Sequence, residues 1–398
     1  MINPHEKLFR SSAKLILFST LFIPILLSYV YAADFSARCC EDLEERVKEL
    51  EATTVRKGNR KISLKLSGHV NQALLIWDDG DDTDIFIGDV DTFSTRFRFT
   101  GTGKIKPGWR AGFIIELEVE QGNTGVVTQL DDDGRSIQSP LGLRHADLWI
   151  KSRYGKISLG QGFSASDLTS EIDLSGTNIA GKSLLFNVGG GFFFINSATQ
   201  TASTNTIRNT YNNLDGLGRN NRIRYDTPTL AGFIFSTSFA ENDAWDFVLR
   251  YKNKIKNFKV AGAISYSEDQ EVTAPADYDR VVNGSLSISH MPTGLNVTVA
   301  AGDRDDENTF EQTFYYGKIG IKRKLHSFGH TAFAIDYGYG DEFRIEGGEF
   351  EHFGIHVVQN IDPAAVEIFF SWSHNEYDTL TENFEDLDFF LLGSRIKF

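Results

Sequence analysis

One stretch of the sequence matches a phosphate-binding motif at every fixed position. Residues 176–183 read GTNIAGKS, which satisfies G-x-x-x-x-G-K-[ST], the loop that holds the phosphates of ATP or GTP. That chemistry needs a buried strand before the loop and a helix after it, so that backbone amides and a helix N-terminus reach the phosphates. TSEIDLS precedes the motif and NVGGGFFF follows it closely, and neither predicts such an element. We therefore expect no nucleotide hydrolysis and interpret Gly176 and Gly181 as bends in a loop.

Acidic clusters and hydrolytic motifs are the other candidates for chemistry. Residues 78–82, 131–134 and 303–307 could offer carboxylate oxygens to Ca²⁺ or Mg²⁺, but none has the spacing of a recognised calcium loop. We interpret these runs as solvated loops, with loose cation bridging to an anionic surface as the alternative. Neither G-x-S-x-G nor H-E-x-x-H occurs in the sequence. The sequence therefore predicts no enzyme: no catalytic residue, no metal site and no cofactor.

Composition indicates which elements position these residues. The 398 residues include 36 Gly and 32 Phe but only 2 Met and 8 Pro, a balance that favours many strands joined by tight turns. The formal net charge of −14 argues against a nucleic-acid partner, because a phosphate backbone requires a clustered basic surface. An all-β fold is expected.

The first 32 residues have the order of a secretory signal peptide. Lys7, Arg10 and Lys14 precede an apolar run that closes on Ala32 and Ala33. The alternative is a permanent transmembrane helix, since the run is close to the minimum length that spans a bilayer. After it, no apolar stretch approaches the length of about 20 residues that a membrane helix needs, so a helical membrane protein is not expected.

Residues 33–60 are predicted to form a short helical neck. In CCEDLEERVKELEATT, Leu43, Val47 and Leu50 follow the spacing of a coiled-coil seam, which would be stable only where several copies meet. A solvated helix is the alternative. The adjacent Cys39 and Cys40 suit neither a zinc site of four ligands nor internal bridges, so exposed thiols or an interchain link remain open.

From residue 61 onward the hydrophobic period becomes two, which is typical of strands. Phe97 and Phe99 alternate with Arg96 and Arg98, and similar segments recur about sixteen or seventeen times, separated alternately by short turns and longer polar stretches. This pattern predicts a transmembrane antiparallel β-barrel of about 16 strands over residues 61–398. A soluble sandwich would alternate too, but so many strands would form several domains, and no linker is visible.

The chain ends on a strand with Phe398 as its last residue. Leu391 to Phe398 read LLGSRIKF, in which Gly393, Ile396 and Phe398 resemble the C-terminal signal by which the barrel-assembly machinery recognises outer-membrane proteins. The export signal, the strands and this ending together predict a location in the bacterial outer membrane.

Several segments resemble the general porins of alphaproteobacteria, including those of rhizobia and brucellae. They are DLEERVKELEATTVRKGNRKISLKLSGHV, FRFTGTGKIKPGWRAGF, SRYGKISLGQGFSASD and NRIRYDTPTLAGF, and they cover most of the chain after the signal peptide in the family's order. The resemblance implies a barrel of roughly sixteen strands that assembles as a homotrimer, with one loop folded into each pore.

The resemblance also nominates pore residues. Residues 163–186 would be the constriction loop, with an acidic face formed by Asp167, Glu171 and Asp173. Inward basic residues of the barrel wall would face this loop and set a transverse field across a narrow aqueous gap. The alternation nominates Arg96, Arg98, Arg110, Arg222 and Arg224 for the wall. The alternative is that some of these arginines only pair with the inward Glu116 and Glu118.

The expected function is that of an outer-membrane porin, a water-filled channel for passive diffusion of small hydrophilic solutes and ions. Its expected partners are outer-membrane lipid, lipopolysaccharide and the barrel-assembly machinery. Two alternatives remain open. One is a substrate-selective channel, and the other is a structural envelope barrel tethered by its N-terminal helix.

Overall fold

A computed structural model describes residues 61–119, 122–131, 141–241, 243–269, 280–305 and 311–398. The predicted signal peptide and helical neck lie outside these residues. Strands dominate the described chain, and no helix in it is long and apolar enough to cross a membrane. The strands are β1 (Ile62–Asp78), β2 (Thr83–Asp89), β3 (Arg96–Lys106), β4 (Trp109–Val119), β5 (Leu141–Ser152), β6 (Gly155–Phe163), β7 (Phe193–Asn196), β8 (Thr201–Thr206), β9 (Arg219–Asp226), β10 (Phe233–Ala240), β11 (Trp245–Ile255), β12 (Phe258–Glu268), β13 (Arg280–His290), β14 (Leu295–Asp305), β15 (Gln312–His326), β16 (Gly329–Asp341), β17 (Glu349–Ile361), β18 (Val366–Asp378) and β19 (Leu387–Lys397).

Seventeen of these strands form one closed antiparallel sheet. The strands β2 and β3 both pair with β1, each later strand of the sheet pairs with the one before it, and β19 pairs back with β1, with Val70 opposite Ile396. The strands β2 and β3 lie end to end beside β1, so together they occupy one position in the wall and the barrel has sixteen wall positions. The predicted barrel of about 16 strands is confirmed. Because the sheet closes on itself, the alternative of packed soluble sheets is wrong.

The two faces of the sheet differ in polarity. Along β14, Leu295, Val297 and Val299 are exposed, whereas Asn296 and Thr298 are buried inside the barrel. A soluble protein buries its apolar face, so this inverted arrangement is what a barrel in lipid requires.

The C-terminal strand closes the barrel at close range. The backbone of Phe398 exchanges hydrogen bonds with Gly68 of β1, at 2.9 and 3.0 Å. A Cβ atom on Gly393 would lie 2.2 Å from the ring of Phe369, so only glycine fits between β18 and β1. Ile396 and Phe398 point outward and are exposed.

Residues 164–218, between β6 and β9, fold into the barrel and are called the inner loop. They contain the β7–β8 hairpin and a one-turn helix, α1 (Ile207–Thr210). Aromatic residues of this loop pack against inward aromatic residues of the wall: the ring centre of Phe192 lies 5.2 Å from that of Trp77 and 5.1 Å from that of Phe389. The hydrophobic core therefore lies between loop and wall. The segment 163–186 nominated from the sequence forms only the first part of this structure.

Candidate functional site

A cavity of about 1040 Å³ lies between the inner loop and the wall strands. Its most prominent feature is the separation of charge in its lining. Carboxylates come mainly from the inner loop, and guanidinium groups come mainly from the wall. The acidic lining residues are Asp91, Glu118, Asp167, Glu171, Asp173 and Asp215, and the basic ones are Arg96, Arg98, Arg144, Lys182, Arg208, Arg219, Arg250 and Lys252.

The basic side begins on β3. Arg96 and Arg98 both point inward because they are two residues apart on one strand, and they lie opposite Glu118 and Glu116 of β4. Arg98 contacts Glu116 directly, and Arg96 lies 3.6 Å from a carboxylate oxygen of each glutamate. Both arginines nominated here line the cavity, and both also pair with the glutamates, as the alternative interpretation held.

Arg144 of β5 joins this cluster, although the sequence analysis missed it. Its Nε donates to Glu116 at 2.9 Å and its Nη1 to Glu118 at 2.5 and 2.6 Å. The register of β4 against β5 shifts at this point: Glu116 pairs with His145 and Leu117 with Leu143, so Arg144 is the extra residue of a β-bulge. The bulge turns both Arg144 and His145 inward. The signal in the sequence was a break in alternation at these two residues.

With Arg144 included, three guanidinium groups share two carboxylates. The cluster therefore keeps one positive charge in excess beside the cavity. Arg98 is the most exposed of the three, with 44% of its side chain accessible, against 12% for Arg96 and for Arg144.

Arg219, at the start of β9, was also missed. Its guanidinium lies over the ring of Phe163, 5.8 Å from the ring centre, and it forms no ion pair within 4 Å among the described residues. Arg219 is the first residue of β9 and follows the 55 residues of the inner loop. No alternating pattern precedes it, so the sequence does not predict which way its side chain points.

The acidic side of the cavity includes three carboxylates of the inner loop, those of Asp167, Glu171 and Asp215. Glu171 accepts from Lys182 at 2.7 Å, and Asp215 accepts from the backbone amides of Leu168 and Ser170 at 2.7 and 3.0 Å. Burial, together with the charges of Glu171 and Asp167, raises the pKa of Asp215 well above its ordinary range. Burial also raises the pKa of Asp167, against the opposing charge of Arg219.

Asp173 belongs to the same loop but is directed toward the opposite wall. It accepts from the ammonium of Lys318 on β15 at 3.0 Å, and both side chains are almost completely buried. Although burial acts against it, the charge of Lys318 holds the pKa of Asp173 below its ordinary value. Lys318 also donates to the carbonyl of Gly181 at 2.7 Å, where a Cβ atom would collide with the ring of His356. Asp173 therefore reaches the cavity only at its edge and chiefly anchors the loop.

The first half of the loop is attached to the wall through its own backbone. The amides of Ala165, Ile172 and Leu174 donate to serine hydroxyls of β10 and β13 at 2.9 to 3.0 Å, and the amide of Ser166 donates to Asp246 at 2.7 Å. These inward hydroxyls and carboxylate satisfy backbone groups that would otherwise be buried without partners.

The other nominated arginines lie apart from the cavity lining. Arg222 pairs with Asp147 at 2.7 Å and donates to the carbonyl of Phe163, while Arg224 pairs with Asp226 at 2.8 Å and donates to the carbonyl of Ser164. Both therefore hold the first residues of the inner loop. Arg110 lies near the β3–β4 turn, beside Lys104 and Lys151 of the neighbouring segments.

Comparison with known proteins decides the family. The Gram-negative porin family model matches residues 51–385. The chain belongs to the Gram-negative porin family. This porin is therefore a channel of the bacterial outer membrane for passive diffusion, as the sequence predicted. No curated protein sequence matches it.

Solved structures agree on the fold of this porin. The anion-selective porin from Comamonas acidovorans is 14% identical with a TM-score of 0.59, over 85% of this chain and 100% of that one. The outer-membrane channel DcaP of Acinetobacter baumannii is 12% identical with a TM-score of 0.54, over 86% and 99%. A variant of the Rh. blastica porin is 15% identical with a TM-score of 0.51, over 84% and 100%.

In this porin the segment that matches a phosphate-binding motif has a different use. Residues 176–183 lie within the inner loop, where the amides of Ala180 and Gly181 close tight turns on the carbonyl of Thr177. The motif's Lys182 pairs with Glu171 at the cavity.

Proposed function

We propose that the cavity between the inner loop and the wall is the pore constriction, and that its opposed charges select among small hydrophilic solutes. The observation that carries this is the placement of Glu171, Asp167 and Asp215 on the loop against Arg96, Arg98 and Arg144 on the wall. Fixed charges of opposite sign across a narrow aqueous gap create a field that orients dipolar solutes, while the gap limits their size.

The balance of these charges favours anions. The described lining residues include eight basic and six acidic side chains. Burial and the charges of Glu171 and Asp167 also raise the pKa of Asp215, which disfavours the charged form of this lining carboxylate. We therefore propose a modest anion preference, which the sequence alone had left open.

From the resemblance of the neck and the strands that follow, we propose that the chain belongs to the alphaproteobacterial general porins and assembles as a homotrimer. We propose that its C-terminal Gly393, Ile396 and Phe398 act in barrel assembly. We also propose that it contacts lipopolysaccharide. We also propose that it has no enzymatic activity.

The test is single-channel conductance of the refolded mature protein in planar bilayers, with salt gradients for selectivity and sugars of graded size as blockers. Large steps in groups of three, with conductance proportional to salt, are expected. Saturation of flux by one solute would instead indicate a substrate-selective channel. Absent steps from protein that is folded and trimeric would favour the structural envelope barrel, and deletion of residues 33–60 would then show whether the neck only tethers it.

A further inference from the structure

The outer face of β18 and β19 carries a histidine surrounded by carboxylates. His374 and Glu376 are two residues apart on β18, and their side chains point outward. The alternating residues Ser373 and Asn375 are buried inside the barrel. Asp388 of β19 is the register partner of His374, and Asp386 precedes the strand by one residue. No spacing in the sequence predicts this cluster of one histidine and three carboxylates, because the pairing of β18 with β19 brings its members together.

The ligand atoms of three of these residues converge. The Nε2 atom of His374 lies 3.0 Å from a carboxylate oxygen of Glu376 and 3.9 Å from one of Asp386, and the ligand atoms of all three lie within 4.8 Å of one another. In a tetrahedral zinc site with bonds of about 2.0–2.2 Å, ligand atoms are about 3.3–3.6 Å apart. Small side-chain rotations would therefore place all three at bonding distance from one ion.

A second set of contacts holds the imidazole in the orientation that a metal needs. The Nδ1 atom of His374 lies 3.2 Å from Oδ1 of Asp388, and the same oxygen accepts from the indole N–H of Trp372 at 3.1 Å. When Nδ1–H donates to this carboxylate, the lone pair of Nε2 points toward Glu376 and Asp386. A carboxylate behind the imidazole is the usual outer contact of a metal-bound histidine.

We propose that His374, Glu376 and Asp386 form a binding site for a divalent transition-metal ion of the zinc type on the outer face of the barrel, with Asp388 as the positioning residue. One imidazole with two carboxylates suits such an ion, whereas Ca²⁺ prefers six to eight oxygen ligands. Three protein ligands leave a fourth position open to water or to another oxygen ligand. The ion ties β18 to the chain just before β19.

The competing interpretation is an imidazolium paired with the same carboxylates without any metal. The two differ in stoichiometric metal binding, which can be measured directly. The probe is Zn²⁺ titrated into chelator-treated, refolded mature porin by calorimetry, with Co²⁺ absorption as a second readout. Cys39 and Cys40 are alkylated first, since thiolates themselves bind zinc.

One Zn²⁺ per chain is expected, with a tetrahedral Co²⁺ spectrum and no competition from equal Ca²⁺. His374→Gln and Glu376→Gln should each weaken binding at least tenfold, and Asp388→Asn about 10- to 100-fold. His290→Gln is the matched control and should bind as the parent does. Conductance of each variant should be unchanged, because His374 does not line the cavity, and this verifies folding.

Two results would overturn the site. One is the absence of stoichiometric binding to the folded parent. The other is binding that survives His374→Gln with the same affinity, which would assign it to scattered surface carboxylates.

Discussion

The two sides of the inner loop use the same residue types differently. On the side facing β15, Asp173 and Lys318 are almost completely buried and paired with each other. Behind this pair, a carboxylate oxygen of Asp336 lies 2.9 Å from Nε2 of His356. On the side facing the cavity, charges are partly exposed and unequally paired, as Arg98 and Arg219 show. Buried charges hold position because an unpaired one is costly, whereas half-exposed charges act on passing ions. The loop is thus anchored on one side, and on the other side it carries charges of the proposed filter.

The largest effect should come from breaking the anchor. Replacing Lys318 by Met leaves Asp173 buried without its cation, and should cost about 3–5 kcal/mol of stability. Denaturant unfolding of the refolded barrel measures it. The double variant Lys318→Met with Asp173→Asn should recover part of the loss. Equal stability of parent and single variant would mean that the pair does not hold the loop.

The next effect concerns the filter. Arg219→Gln removes a cavity charge that has no ion pair among the described residues, so structure should be preserved. An ion about 5 Å from the guanidinium in a water-like medium interacts by about 0.8 kcal/mol, attractive for an anion and repulsive for a cation. Removing the charge therefore changes the anion-to-cation difference by about 1.6 kcal/mol, and the permeability ratio should fall by up to about 15-fold at low salt. Reversal potentials in salt gradients measure it. An unchanged ratio would remove Arg219 from the filter.

A smaller effect should appear on acidification. Protonation of Asp215 removes a negative charge from the cavity lining, so anion preference should increase as pH falls. Because the pKa of Asp215 is raised, this step should occur at higher pH than for an ordinary carboxylate. Asp215→Asn should reduce the step, leaving the part that comes from Asp167, whose pKa is also raised. Asp84→Asn, with the same charge change on the exposed end of β2, should keep it.

The smallest effect is expected at Arg110. Arg110→Gln changes the charge by the same amount as Arg219→Gln, but it lies outside the cavity lining. Its permeability ratio should therefore match that of the parent. A shift comparable to that of Arg219→Gln would show that charge near the β3–β4 turn also selects ions.

The barrel was predictable from the sequence, but the filter was predictable only in part. Alternation sets which wall residues face inward, and Arg96 and Arg98, which it directs inward, line the cavity. Alternation also directs Arg222 and Arg224 inward. It does not show that their guanidinium groups donate to the carbonyls of residues 163 and 164 instead of lining the cavity. A long side chain covers several ångströms, so strand direction alone does not locate its charge.

Two kinds of residue escaped the pattern for physical reasons. Arg144 lies at a bulge, where the period of two is interrupted. The carboxylates of the inner loop follow no period at all, so the sequence could not tell that Glu171 faces the cavity while Asp173 faces Lys318. Tertiary contacts, not local pattern, decide both.

The attachment of the inner loop through backbone amides has a consequence for how such channels diversify. Ala165, Ile172 and Leu174 are held by their N–H groups, which every residue except proline carries, so replacing their side chains leaves those bonds in place. Mutations can therefore change what the loop presents to solutes without displacing the loop itself. A lineage could acquire new nutrient preferences through a few substitutions while the scaffold remains constant.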